Sequence, residues 1–199
     1  MLNQIKNFVN EITLKNIYFT LLQPQILYGL TVWGGTYGKG LTRLSKLQKK
    51  AIRTVTYSKK MDHSEPRMKR LGILKLEDLF KLQTVSLAFD CLKNESPEYF
   101  KNLFTYPNNT GRTLRTQTAH PHNITLSVPR RIPGPTQKTS FFNLAPNHWN
   151  DLPDEVKKIQ TKNAFRANVK KFYLSAYKSQ IECTNIYCSD IYNCFHVRR

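Results

Sequence analysis

Few side chains in this sequence stand at spacings that do chemistry by themselves. A nucleotidyl-transfer centre needs paired carboxylates, because its metal ions stabilise both the attacking and the leaving oxygen. No Asp-Asp pair occurs, and the nearest approach is Glu77-Asp78. Those two open an apolar run from about Leu76 to Lys93, where the helix dipole favours acids in the first turn, so they read as a helix start. Gly34-Gly35 and Gly38-x-Gly40 lack the spacing of a phosphate-cradling loop and read as turn glycines. No Gly-x-Ser-x-Gly or His-Glu-x-x-His signature is present. His63-Ser64-Glu65 are neighbours in sequence, which is not how a triad assembles, and His63 reads as a hydrogen-bonding residue. Cys183, Cys188, Cys194 and His196 are zinc-compatible types, but structural sites usually pair ligands about two to four residues apart. They are weak metal candidates, and no stoichiometric zinc site is expected from them.

Charge is the stronger signal. Thirty-one Lys and Arg stand against 13 Asp and Glu, a net +18. Such an excess repels itself when folded and points to an anionic partner. The helix expected over about Leu41 to Val55 concentrates it. At about 100° per residue, Leu41, Leu44, Leu47, Gln48, Ala51, Ile52 and Val55 share one face. Arg43, Lys46, Lys49, Lys50 and Arg53 share the opposite one, where they can track nucleic-acid phosphates by displacing counterions. A second basic candidate is the stretch between Glu98 and Asp151, which has no acid but holds Arg112, Arg115, Arg130 and Arg131. No aromatic RNA-reading motif appears, so sequence-specific readout is unsupported.

The elements that position these residues are mainly α-helical. Hydrophobic residues make up 40% of the 199, enough for one compact domain or two small ones. Residues 1–104 read as a helical region, 105–150 as a basic loop and short-strand segment, 151–178 as C-terminal helices, and 179–199 as a Cys-containing tail. Pro24 should end or kink the first helix. Ser96-Pro97-Glu98 reads as a capped start to a short helix ending near Phe104. Eight Pro and Gly residues between Pro107 and Pro146 argue against a long helix there, with short strands expected at Ile124–Val128 and Thr139–Leu144. Asn16 to Gly38 is uncharged and long enough to span a bilayer. Gln23-Pro24-Gln25 at its middle instead imply a buried, Pro-broken core segment and no membrane partner. Met1 to Ile12 lacks the apolar run of a secretory signal, so an intracellular, nuclear or cytoplasmic, reducing setting is expected.

Several segments, taken in order, resemble one family. Tyr28-Gly29-Leu30-Thr31-Val32-Trp33-Gly34, then Leu47-Gln48-Lys49-Lys50-Ala51-Ile52-Arg53, are similar to the region just after the polymerase palm of non-LTR retrotransposon (LINE-type, Jockey-like) reverse transcriptases. His63-Ser64-Glu65-Pro66, Leu71-Gly72-Ile73-Leu74-Lys75-Leu76, Trp149-Asn150-Asp151-Leu152-Pro153 and Phe165 to Tyr177 continue the series. The resemblance covers about Ile12 to Tyr177. It implies a helical thumb-like bundle and post-thumb region with a Pro-rich insertion, gripping an RNA/DNA template–primer duplex beside an upstream polymerase domain. The family's catalytic aspartates would lie in that upstream palm, with the Mg²⁺ they bind. So no catalytic residue and no cofactor are expected in this chain, and no enzymatic activity of its own. The other reading is a non-catalytic helical protein-interaction scaffold whose basic surface meets an acidic partner.

Overall fold

The computed structural model describes residues 2–35, 39–59, 62–93, 96–100, 104, 125–127 and 140–178. In chain order the α-helices are α1 (Leu2–Ile5), α2 (Glu11–Ile17), α3 (Gln23–Leu27), α4 (Leu30–Trp33), α5 (Lys39–Val55), α6 (Glu65–Leu71), α7 (Leu76–Leu92), α8 (Phe141–Asn150), α9 (Asp154–Lys157) and α10 (Lys162–Ser175). The chain is mainly α, and no strand forms among the described residues. It divides into two compact units, one of Met1–Leu30, Tyr37–Leu79 and Lys171–Arg199, the other of Thr31–Thr36 and Phe80–Lys170.

In the first unit, the Asn10 side chain caps α2 by accepting the Thr13 N–H at 2.8 Å. Pro24 does not break the chain. The backbone widens to a π-helical turn over Tyr18–Leu22, with the Gln23 N–H reaching back to the Tyr18 carbonyl. Pro24 then falls in the first turn of α3, where a missing N–H costs little. The uncharged stretch is not the buried core segment expected from its sequence. Tyr18, Ile26 and Leu30 are buried, but Tyr28 and Val32 are 85% and 80% exposed, because short helices hide only one stripe. No helix among the described residues is long and apolar enough to cross a membrane.

Gly72, at φ 68°, closes α6. The N–H groups of Gly72 and Ile73 return to the carbonyls of Lys69 and Met68, a pattern that favours glycine. The end of α10 reaches the same neighbourhood. Tyr177, 4% exposed, accepts the Lys75 N–H at 2.8 Å and donates to Asp78 Oδ2 at 2.5 Å. Lys75 Nζ lies 4.6 Å from the Tyr177 ring centroid and 3.1 Å from Glu65, while Lys69 Nζ donates to the Tyr177 carbonyl at 2.6 Å. Burial, then the bond to Asp78, push the Tyr177 phenol well above the usual tyrosine range.

In the second unit, Phe80, Leu82, Thr84, Val85, Ser86, Ala88, Phe89 and Cys91 of α7 are all buried, leaving a half-buried stripe of Gln83, Leu87 and Asp90. Its hydroxyls satisfy themselves locally, Thr84 on the Phe80 carbonyl and Ser86 on the Leu82 carbonyl. Phe165 of α10 stacks on Phe89 at 4.6 Å and on Trp149 at 5.6 Å between centroids.

Several local expectations are corrected here. Of the strand expected over Thr139–Leu144, the described residues from Ser140 on are not a strand: Ser140 precedes helix α8, and Pro146 sits inside that helix. A proline costs a helical hydrogen bond, but Asn143, Ala145, Pro146 and Trp149 are all buried, and that packing wins over the local preference. Thr125–Ser127 is not a strand either. Asn150 replaces a neighbouring strand, accepting the Leu126 N–H at 2.9 Å and donating to its carbonyl at 3.0 Å. The buried Ser96 hydroxyl caps no helix N–H among the described residues. Glu98–Phe100 forms a 3₁₀ turn, and the rest of the helix expected to end near Phe104 lies mostly outside the described residues. On α10, Phe165, Val169 and Tyr173 are buried as their spacing implies, whereas Phe172, and Ala176 just beyond the helix, are exposed.

Candidate nucleic-acid interface

Helix α5 runs two residues earlier than its apolar spacing suggests and ends at Val55 as expected. Ile52 and Val55 are fully buried. Gln48 lies between them on the buried face, and its amide is satisfied: Nε2 donates to the Leu74 carbonyl at 2.9 Å and to the Tyr18 hydroxyl at 3.1 Å. Burying this stripe orients the helix and turns the opposite side to solvent. Arg43, Lys46, Lys49 and Lys50 are all exposed, and none takes part in an ion pair among the described residues. From Arg43 to Lys50 they extend over about 10 Å of helix axis.

Two members of the helix depart from the expected division. Leu47 is 55% exposed, because it lies at the margin of the apolar arc beside Arg43 and Lys50. Arg53 is only half-exposed, and its Nε donates to the Asp62 carbonyl at 2.8 Å. Burial, then the nearby Arg67 charge, lower its pKa, while Asp62 opposes them. Asp62 also pairs with Arg67 at 2.8 Å and accepts the Lys59 N–H at 3.0 Å. Arg53 therefore ties the end of α5 to the following turn, and four of the five cations remain open.

Four acids elsewhere are held in ion pairs. Glu11 pairs with Arg70, Glu65 with Lys75, Asp90 with Lys162 and Asp154 with Lys157. No acid occurs between Glu11 and Asp62, a stretch that holds nine Lys and Arg. The α5 face consequently has no carboxylate of its own segment to neutralise it, and its positive potential is directed at solvent.

The other candidates separate clearly. Asp78 is engaged by Tyr177 and Glu77 is exposed, so the pair opens α7 as a helix start. The His63 carbonyl accepts from Arg67 Nη1, a structural role for its backbone. No group of three His, Cys, Asp or Glu able to hold a metal ion is assembled among the described residues. Arg112, Arg115, Arg130 and Arg131, like Cys183, Cys188, Cys194 and His196, lie outside the described residues. Sequence reasoning passed over Tyr57, whose backbone is left-handed at φ 51° just beyond α5. Nothing in the local sequence signals that geometry. The chain matches no protein-family model, no curated protein and no solved structure.

Proposed function

We propose that this chain is the thumb-like C-terminal part of a non-LTR retrotransposon reverse transcriptase, an RNA-directed DNA polymerase, and that α5 grips the backbone of the template–primer duplex. One observation carries the binding role: four exposed cations share a helix face with no ion-pair partner among the described residues. A cation paired to a carboxylate has little left for a phosphate, whereas these four can each release a counterion on contact. The ordered resemblance supplies the polymerase assignment. In the first unit its separate segments meet through Gln48 on Leu74, Glu65 on Lys75, and Tyr177 on Lys75. Catalytic aspartates and their Mg²⁺ belong, in this reading, to a palm outside this chain.

Backbone contact fixes position without reading bases, so binding should be nearly independent of sequence. Four phosphate contacts would steepen log K against log salt by up to about 3.6 on duplex DNA, at roughly 0.9 each. Reversing Lys46, Lys49 and Lys50 to Glu should weaken binding to all duplexes alike and flatten the slope by about 2.7 or more. The same reversal at exposed Lys158, Lys171 and Lys178 is the control for net charge. Both variants should stay folded, since exposed substitutions usually change stability by less than about 0.5 kcal/mol each. A folded α5 variant with unchanged affinity and slope removes α5 as the grip. Tight binding of an acidic protein with no binding of duplex would favour the scaffold reading.

A further inference from the structure

Helices α5 and α6 end in the same backbone pattern with very different residues. At α6 the left-handed position is Gly72, the residue that tolerates it. At α5 it is Tyr57, with the Tyr57 and Ser58 N–H groups returning to the Thr54 and Arg53 carbonyls. A bulky side chain at positive φ persists only where its surroundings hold it. Here the Tyr57 hydroxyl shares its proton between the Lys6 carbonyl, 2.8 Å away, and the Val9 carbonyl. The ring is thereby fixed at both ends yet remains 50% exposed. The two carbonyls bracket Phe8, which is 86% exposed. The Tyr57 hydroxyl thus ties the segment that carries exposed Phe8 to the C-terminal end of the basic helix, with Lys6 and exposed Lys59 adjoining the two aromatic residues in sequence.

We infer that Phe8 and Tyr57 form a stacking ledge for an unpaired nucleobase next to the duplex that α5 grips. This rests on the duplex-binding reading above and extends it to a junction between paired and single-stranded nucleic acid. Every base offers a π-face, so a rigid aromatic surface beside cations takes up single strands without reading sequence. The helix C-terminus carries partial negative charge, which suits a neutral base better than a phosphate. No acid lies between Glu11 and Asp62 to repel the strand, and Asp62 is engaged by Arg67.

The test compares the full chain on a blunt duplex, on that duplex with a short single-stranded extension, and on the extension alone. The extension should tighten binding by about fivefold or more, as the weaker end of base–aromatic stacking supplies. Phe8→Ala should remove most of that gain while blunt-duplex binding and its salt slope stay as they were. Tyr57→Gly should do the same, since glycine keeps the left-handed turn and deletes the ring. Equal affinity for blunt and extended duplexes overturns the inference, as does a gain that survives both substitutions. If the blunt duplex does not bind but the single strand does, in a Phe8-dependent way, the duplex grip falls and the ledge stands.

Discussion

Tyr177→Phe isolates one oxygen atom in the cluster that joins the end of α10 to the turn before α7. The substitution keeps the buried ring and the Lys75 ammonium over it, and removes only the phenol oxygen. Two groups lose a partner: the Lys75 backbone N–H and the Asp78 carboxylate. An unsatisfied buried amide costs about 1–3 kcal/mol, and a hydrogen bond to a charged group contributes about 1.5–3 kcal/mol. Lys75 and Asp78 are both only half-buried, so water recovers part of each loss, leaving a net of about 2–4 kcal/mol. For a chain of this size that lowers Tm by about 4–16 °C. The same oxygen has a pH signature. Because the folded phenol is held above its ordinary range, its stabilising contribution is complete below about pH 10, where the unfolded tyrosine begins to ionise. Above that the contribution is lost at about 1.4 kcal/mol per pH unit, and Tyr177→Phe should remove this part of the alkaline slope. Tyr18, raised chiefly by burial, should still contribute a slope of its own. Thermal melts from pH 7 to 11 on both proteins give both quantities. An unchanged Tm together with an unchanged alkaline slope would refute this account of the cluster.

Two further outcomes concern the second unit. His148 lies edge-on to Phe80, with Nδ1 buried and unpartnered, and burial, then the Lys81 charge, lower its pKa. Its stabilising effect is therefore complete above about pH 6.5 and is lost as pH falls through the folded pKa. His148→Phe should flatten the acid limb of the stability profile, and an NMR titration midpoint for His148 above 6.5, marked roughly by the free imidazole, would contradict this. Asn150→Ala should cost about 1–3 kcal/mol and speed amide exchange at Leu126, whose N–H and carbonyl both lose their partner. Asn150→Asp should protect the Leu126 N–H better than Ala does, and equal exchange in the two variants would refute the clamp.

The parts legible in sequence are those governed by local periodicity. α5 and α7 announce themselves through apolar spacing, and the exposure of Arg43, Lys46, Lys49 and Lys50 follows from burying Ile52 and Val55. Arg53 was misplaced because its partner is the Asp62 carbonyl, nine residues on, and a backbone acceptor leaves no sequence trace. α8 was hidden by Pro146 and by the β-favouring Thr139, Phe141 and Phe142, since burial of Trp149 and Pro146 is a tertiary fact. The Tyr177 cluster joins groups about 100 residues apart, and nothing in either segment names the other. Tyr57 was missed because its turn is held by a hydroxyl bond across 51 residues to Lys6.

The open cation face of α5 also bears on how this sequence would drift. Gln48 is held by two buried hydrogen bonds, so nearly any replacement weakens the fold, whatever the protein does. Arg43, Lys46, Lys49 and Lys50 have no such anchor, and exposed substitutions there change stability by less than about 0.5 kcal/mol. Selection for folding alone would therefore let their charge decay at the neutral rate while Gln48 stayed. Among diverging related sequences, retained charge at those four positions would be a record of selection for binding. Its loss beside an intact Gln48 would mark a lineage in which folding is still selected and that face is not.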